Sequence, residues 1–171
     1  VNPAPAKPQW NGNPVDRLFV WAEQGVGDEI MFASCYKELA NYCKELTVSI
    51  SRRLVPIMER SFPENIQFID RYLPTSNEEF DFQAPVMTAI GHLRKDIKSF
   101  SSCSAPYIVA DQSKVDIVRD ELKKYANGKK IIGLSWFSKN ATSGKKRSIE
   151  LVKLVSALPD DVFLVNLQYG E

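Results

Sequence analysis

The stretch Trp21-Ala22-Glu23-Gln24-Gly25-Val26-Gly27-Asp28-Glu29-Ile30 follows the apolar run Leu18-Phe19-Val20 and precedes a long helix-like pattern. A strand that runs into a glycine turn, with an acid where the next helix begins, sets polar groups above the carboxyl edge of a sheet. Open α/β sheets take up ligands at that edge. Gly25 and Gly27 permit a tight turn or a close approach of backbone to ligand. The spacing is not the dinucleotide fingerprint, because Ile30 occupies the third glycine position. The end of the second predicted strand reads Ser49-Ile50-Ser51-Arg52, with no acid to hold a ribose, so a dehydrogenase is disfavoured.

Around this stretch, β-type and helix-type patterns alternate. Apolar runs predict strands over 18–22, 46–50, 66–69, 80–86, 130–136 and 162–167. Helical periodicity predicts helices over 28–44, 54–62, 113–125 and 148–158, and a helical turn over 87–93. The first carries a stripe of Ile30, Met31, Ala33, Cys35, Leu39, Ala40 and Cys43, with Asp28 and Glu29 at the end its dipole favours. Ser113 is a plausible cap for the third, and Asn127-Gly128 a stop signal. The serine-rich 99–104 and the polar 137–147 read as loops.

This rhythm predicts an α/β protein with a Rossmann-like, largely parallel sheet and helices on both faces. It restarts near residue 130 and halts after one further strand, helix and strand. The expected organisation is a proline-rich lead-in over 1–15, a full domain over 16–127, and the beginning of a second, truncated domain over 128–171. The first residue is Val1 rather than Met, as expected of a piece of a longer protein whose targeting signals can lie elsewhere.

Composition narrows the function classes. The 171 residues are 44% hydrophobic and 25% charged, ordinary for a globular chain. A net charge of +1 supplies no extended basic field for nucleic acid. No apolar run approaches the roughly 18 residues of a membrane span. Cys35, Cys43 and Cys103 are odd in number and lack metal-type spacing, which fits buried thiols in a reducing, cytoplasmic setting. His92 is the single histidine, which argues against a histidine triad or a multi-histidine metal site.

Four motifs then stand in order: Trp21-x-x-Gln-Gly-x-Gly-Asp28-x-Ile-x-Phe-Ala33, Gly133-Leu-x-Trp136, Arg147-Ser-Ile149 and Asn166-Leu-Gln-x-Gly170. Together, over roughly 16–171, they resemble the glycosyltransferase domain found after tetratricopeptide repeats in bacterial proteins. That domain is similar to the ADP-heptose–lipopolysaccharide heptosyltransferases of the glycosyltransferase family 9 type. The resemblance implies the GT-B arrangement, two Rossmann-like domains of which the first is the acceptor side and the second the donor side. It implies transfer of a sugar from a nucleotide diphosphate-sugar to a protein or glycan hydroxyl, with neither metal nor further cofactor. Residue by residue, it implies Asp28 as the base on the acceptor hydroxyl, within a loop containing Gln24, Gly25 and Gly27. Lys146, with Lys145 and Arg147 beside it, would meet the donor's phosphates, and Gln168 and Gly170 would approach the donor. The loop 137–147 departs from the family's usual form, which is richer in asparagine, aspartate and histidine. With most of the donor side missing, the chain alone is expected to be inactive, and an exposed sheet edge invites self-association.

Each residue also has a plainer reading. Asp28 is either a base or a helix-terminal acid that caps amides. Lys139, Lys145, Lys146 and Arg147 either meet an anion or form a solvated basic loop. Trp21 and Trp136 fit packing better than base stacking, and Glu23 and Glu29 fit solvated or structural roles. His92 fits a surface or capping role better than contact with a sugar. The reading from a different class is a non-catalytic α/β binding or scaffolding module derived from a transferase.

Overall fold

A computed structural model describes residues 6–76, 78–102 and 106–168; Cys103 and Gly170, named above, and the end of the serine-rich 99–104 lie outside them. The chain is α/β with parallel sheets and divides into two compact units, Val1–Asp111 and Gln112–Glu171.

In the first unit, β1 (Val15–Trp21), β2 (Cys43–Ile50), β3 (Ile66–Asp70) and β4 (Phe82–Pro85) form one parallel sheet in the order β3-β2-β1-β4. Leu18 and Val20 of β1 align with Leu46 and Val48 of β2, all fully buried. Phe19, on the opposite face by the alternation of a strand, stacks on Phe80 at 4.7 Å. A central parallel strand is covered on both faces, which is why Leu18-Phe19-Val20 is continuously apolar. The helices of this unit are α1 (Val26–Ala33), α2 (Tyr36–Leu39), α3 (Val55–Ser61) and α4 (Val86–Leu93). Their inner residues, among them Ala33, Tyr36, Leu39, Met58 and Ile90, share one core with the sheet.

Two expectations are corrected here. The helix expected over 28–44 is broken: the Ser34 hydroxyl and N–H both turn back onto the Met31 carbonyl, closing α1 with three-residue bonds. After α2 and a short 3₁₀ turn, Cys43 already belongs to β2, so Cys35 and Cys43 share no helical face. The lead-in is also part of the fold. Pro8 and Trp10 bond to the backbone of Gln83 in β4, and the Trp10 ring is buried edge-on against Tyr42 and His92 at 5.8 and 5.3 Å. Gly12, at φ +91°, turns the chain where a Cβ would stand 3.0 Å from His92 Nδ1.

In the second unit, α5 (Gln112–Ala126) precedes the parallel pair β5 (Lys130–Leu134) and β6 (Val162–Asn166), with α6 (Leu151–Val155) between the strands. Asn127 and Gly128 both take the left-handed conformation and stop α5. β5 and α6 are shorter than their sequence patterns. Past Leu134 the backbone N–H groups of Trp136 and Phe137 bond to the Gln168 side chain rather than to a strand. The Ser148 hydroxyl is tied to the Gly144 carbonyl and the Ser138 N–H, which holds that residue in the loop. Among the described residues the second unit holds this one pair of strands, and Ile131, Leu151, Val152 and Val155 are exposed.

Candidate functional site

The strand order of the first unit reverses direction between β1 and β4. From β1 the chain adds β2 and then β3 on one side and, among the described residues, only β4 on the other. The crevice at that reversal, outside the carboxyl ends of the strands, is where sheets of this kind bind ligands. The β1 exit loop, Ala22 to Gly25, and the start of α4 flank it. Trp21 Nε1 donates to Gln83 Oε1 at 2.8 Å, bridging β1 to β4, and the Gln24 amide meets the exposed Met87 sulfur at 3.8 Å. Gly25 precedes α1, and a side chain on Gly27 would meet nothing within 4 Å.

Asp28 sits in the first turn of α1, half-buried, its Oδ2 accepting from the Gly25 N–H at 3.1 Å. This is a capping geometry. Among the described residues its Oδ1 takes no hydrogen bond, so the same carboxylate retains a free acceptor at the crevice. Glu23 is exposed, while Glu29 is 1% exposed. Arg71 at the end of β3 approaches Glu29 Oε1 at 2.6 Å, and Ser51 at the end of β2 donates its N–H to Oε2 at 2.9 Å and its hydroxyl to Oε1 at 3.2 Å. Thus one buried acid on α1 ties together the ends of two strands, β2 and β3. Burial, with Glu29 and Cys35 adding to it, also holds the nearby Tyr36 hydroxyl well above the usual tyrosine range. Burial likewise pushes the Cys43 thiol up to about 11, which leaves it unreactive near neutral pH.

The sequence pattern did not single out Arg71 or Ser51. The available signal was Glu29 itself, which shares a helical stripe with Ala33. An acid on the buried stripe needs a cation or several donors, although its spacing does not say which.

In the second unit, the loop between β5 and α6 forms an open pocket of about 880 Å³ lined by Trp136, Phe137 and Ile149 on its apolar side and by Lys139, Lys145 and Glu150 among its charged groups. The loop is tied internally: Asn140 Oδ1 accepts from the N–H groups of Thr142 and Ser143, and Gly144 lies so close to Ser138 that a Cβ would stand 2.3 Å from the Ser138 carbonyl oxygen. Of the cations singled out in sequence, Lys145 lines the pocket, whereas Lys146 and Arg147 are exposed outside that lining. Gln168 is occupied with backbone: its Oε1 accepts from Trp136 N–H at 3.1 Å and Phe137 N–H at 2.9 Å, and its Nε2 donates to the Phe137 carbonyl at 3.0 Å. It shapes the pocket wall. His92 packs on the lead-in, its ring edge-on to Trp10.

Among the described residues no helix is long and apolar enough to cross a membrane. No family model matches the chain, and no solved structure matches it. It is similar to Protein FlbA of Caulobacter vibrioides, 29% identical over 183 residues, an alignment that covers 95% of this chain and 30% of FlbA. The chain therefore spans less than a third of the length of the curated relative it matches.

Proposed function

We propose that this chain is the acceptor-side domain and the opening of the donor-side domain of a GT-B-type glycosyltransferase, one that moves a sugar from a nucleotide diphosphate-sugar to a protein or glycan hydroxyl. The observation that carries the reading is Asp28: a carboxylate at the reversal point of a parallel sheet, held by one oxygen and open at the other. A base placed in this way can take the proton of an acceptor hydroxyl as the hydroxyl oxygen attacks the sugar carbon and the diphosphate leaves. The pocket of the second unit supplies complementary chemistry, an apolar wall of Trp136, Phe137 and Ile149 with Lys139 and Lys145 at its edge. Apolar walls suit a nucleoside, and ammonium groups suit a diphosphate on which negative charge grows during transfer. Gln24, Gly25 and Gly27 frame the acceptor loop, and Gln168 holds the donor-side wall. In this reading Lys146 and Arg147 act from the rim, and further β-α units complete the sheet begun by β5 and β6.

The test is titration of a panel of nucleotide diphosphate-sugars against the protein extended by about 150 residues, a typical domain's length. Lys145→Ala is expected to weaken binding about tenfold, the loss of a charged contact. Asp28→Asn is expected to keep binding and to lower turnover by about 10²- to 10⁴-fold, the range of general base catalysis. A folded protein that binds no member of the panel overturns the reading in favour of a non-catalytic module.

A further inference from the structure

The peptide unit joining Gln24 to Gly25 is engaged at both ends. Its carbonyl oxygen accepts from Arg71 Nη1 at 3.1 Å, and its N–H donates to Asp28 Oδ2 at 3.1 Å. The same Arg71 nitrogen is anchored on buried Glu29 at 2.6 Å, and Glu29 is in turn fixed by Ser51. We propose that Arg71 is a positioning residue for Asp28, acting through the Gln24–Gly25 peptide, with Glu29 as its anchor. The consequence for turnover rests on the function proposed above; the positioning itself does not.

The physical case has three steps. First, a donor on the carbonyl polarises the amide and strengthens its N–H as a donor, because hydrogen bonds in a chain reinforce one another. Second, a carbonyl held by a guanidinium fixes the plane of the peptide and so the direction in which the N–H points. A loop ending in Gly25 would otherwise wander over a wide backbone range. Third, stability alone does not account for the pair. A buried ion pair contributes no more than a well-packed apolar pair of the same volume. An apolar pair could hold α1 against β3, but it could not present a donor to the Gln24 carbonyl. The Coulomb attraction that holds Arg71 to Glu29 is thereby used to aim a third group.

The reporter is the Gly25 amide proton, followed by solvent-exchange NMR on the whole chain. The clean variant is Glu29→Gln combined with Arg71→Met, which removes both charges and leaves an amide oxygen for Ser51. Gly25 is expected to exchange about tenfold faster, the worth of one hydrogen bond, while Val20 and Val48 in the central strands are unchanged. Arg71→Lys serves as the second variant and decides the matter if the first does not fold. Its shorter, non-planar ammonium stays with Glu29 and releases the carbonyl, so a selective acceleration of about threefold or more is expected. An unchanged Gly25, or one accelerated only as much as Val20 and Val48, overturns the proposal. Where transfer is measurable, the same variants are expected to lower kcat about tenfold with the donor KM unchanged. An extended protein that neither binds a nucleotide diphosphate-sugar nor transfers removes the proposed function and leaves the exchange result to decide the role of Arg71.

Discussion

Replacing Trp10 by alanine tests whether the proline-rich lead-in is a structural part of the first unit. The ring is 1% exposed, packs on Tyr42 and His92, and donates from Nε1 to the Asn13 carbonyl at 2.7 Å. A buried tryptophan removes on the order of 200 Å² from water, worth about 5 kcal/mol at 25 cal/mol per Å² as an upper bound. Measured truncations of this kind cost about 3–5 kcal/mol. The lost Nε1 bond adds little, because Asn13 is exposed and water can replace the donor. Against a total stability of about 5–15 kcal/mol, such a loss brings the unit close to unfolding. The assay is hydrogen exchange of the β1 amides in a urea series, since their exchange requires the first unit's sheet to open while the second unit contributes nothing to the signal. Gln9→Ala is the control: its side chain is exposed and its backbone bridge to Gln83 does not depend on it, so a change within about 0.5 kcal/mol is expected. A loss below about 1 kcal/mol for Trp10→Ala would refute the reasoning, because it would make the lead-in a strap the sheet can shed.

Two further predictions follow from geometry. Arg17 grips Asp81 through two nitrogens, at 2.8 and 3.3 Å, and this hydrogen bonding, with the charge attraction behind it, holds the Asp81 carboxyl below its ordinary value of 3.8 and the Arg17 guanidinium above its own. A depressed carboxyl contributes stability above its unfolded value and loses it as pH falls through the folded value. Wild type is therefore expected to exceed Asp81→Asn in stability at neutral pH, with the gap closing from about pH 4 downward in urea melts; a gap independent of pH would count against the pairing. Gly144→Ala would place a methyl 2.3 Å from the Ser138 carbonyl oxygen. A cost of about 1–3 kcal/mol is expected, with amide shifts confined to the 138–148 loop and β5 unmoved; a silent substitution would mean that the loop is not packed as described.

How far these features can be read from sequence depends on the range of the forces behind them. The β1 run and the glycine turn are legible because burial on both faces and glycine's backbone freedom act within a few residues. The first helix is misjudged because the apolar stripe continues at helical spacing through Ser34 and Cys35, although the serine hydroxyl closes the turn. The early start of β2 is hidden because Lys44 and Glu45 are exposed and show no alternation. Proline in the lead-in marks the absence of regular hydrogen bonding, and that says nothing of burial; Trp10 among the prolines was the contrary signal. The loop 137–147 discloses its charge but not its orientation. Whether Lys145 or Lys146 faces the pocket is set by turns that Asn140 and Gly144 impose.

The residues least visible in sequence share one task. At the carboxyl end of a parallel sheet the exit loops leave their neighbours, and their peptide groups lose the partners a strand would supply. Gln168 replaces a missing strand for Trp136 and Phe137, offering both an acceptor and a donor from one amide. Arg71 does the same for Gln24, 47 residues distant in the chain, and needs Glu29 because a guanidinium cannot be brought so far inside unaccompanied. Such substitutes recur at no fixed spacing, since any long polar side chain that reaches the loop will serve. A ligand-binding edge is built from these irregular loops, so the residues that shape it escape periodicity even where the strands beneath them are plain to read.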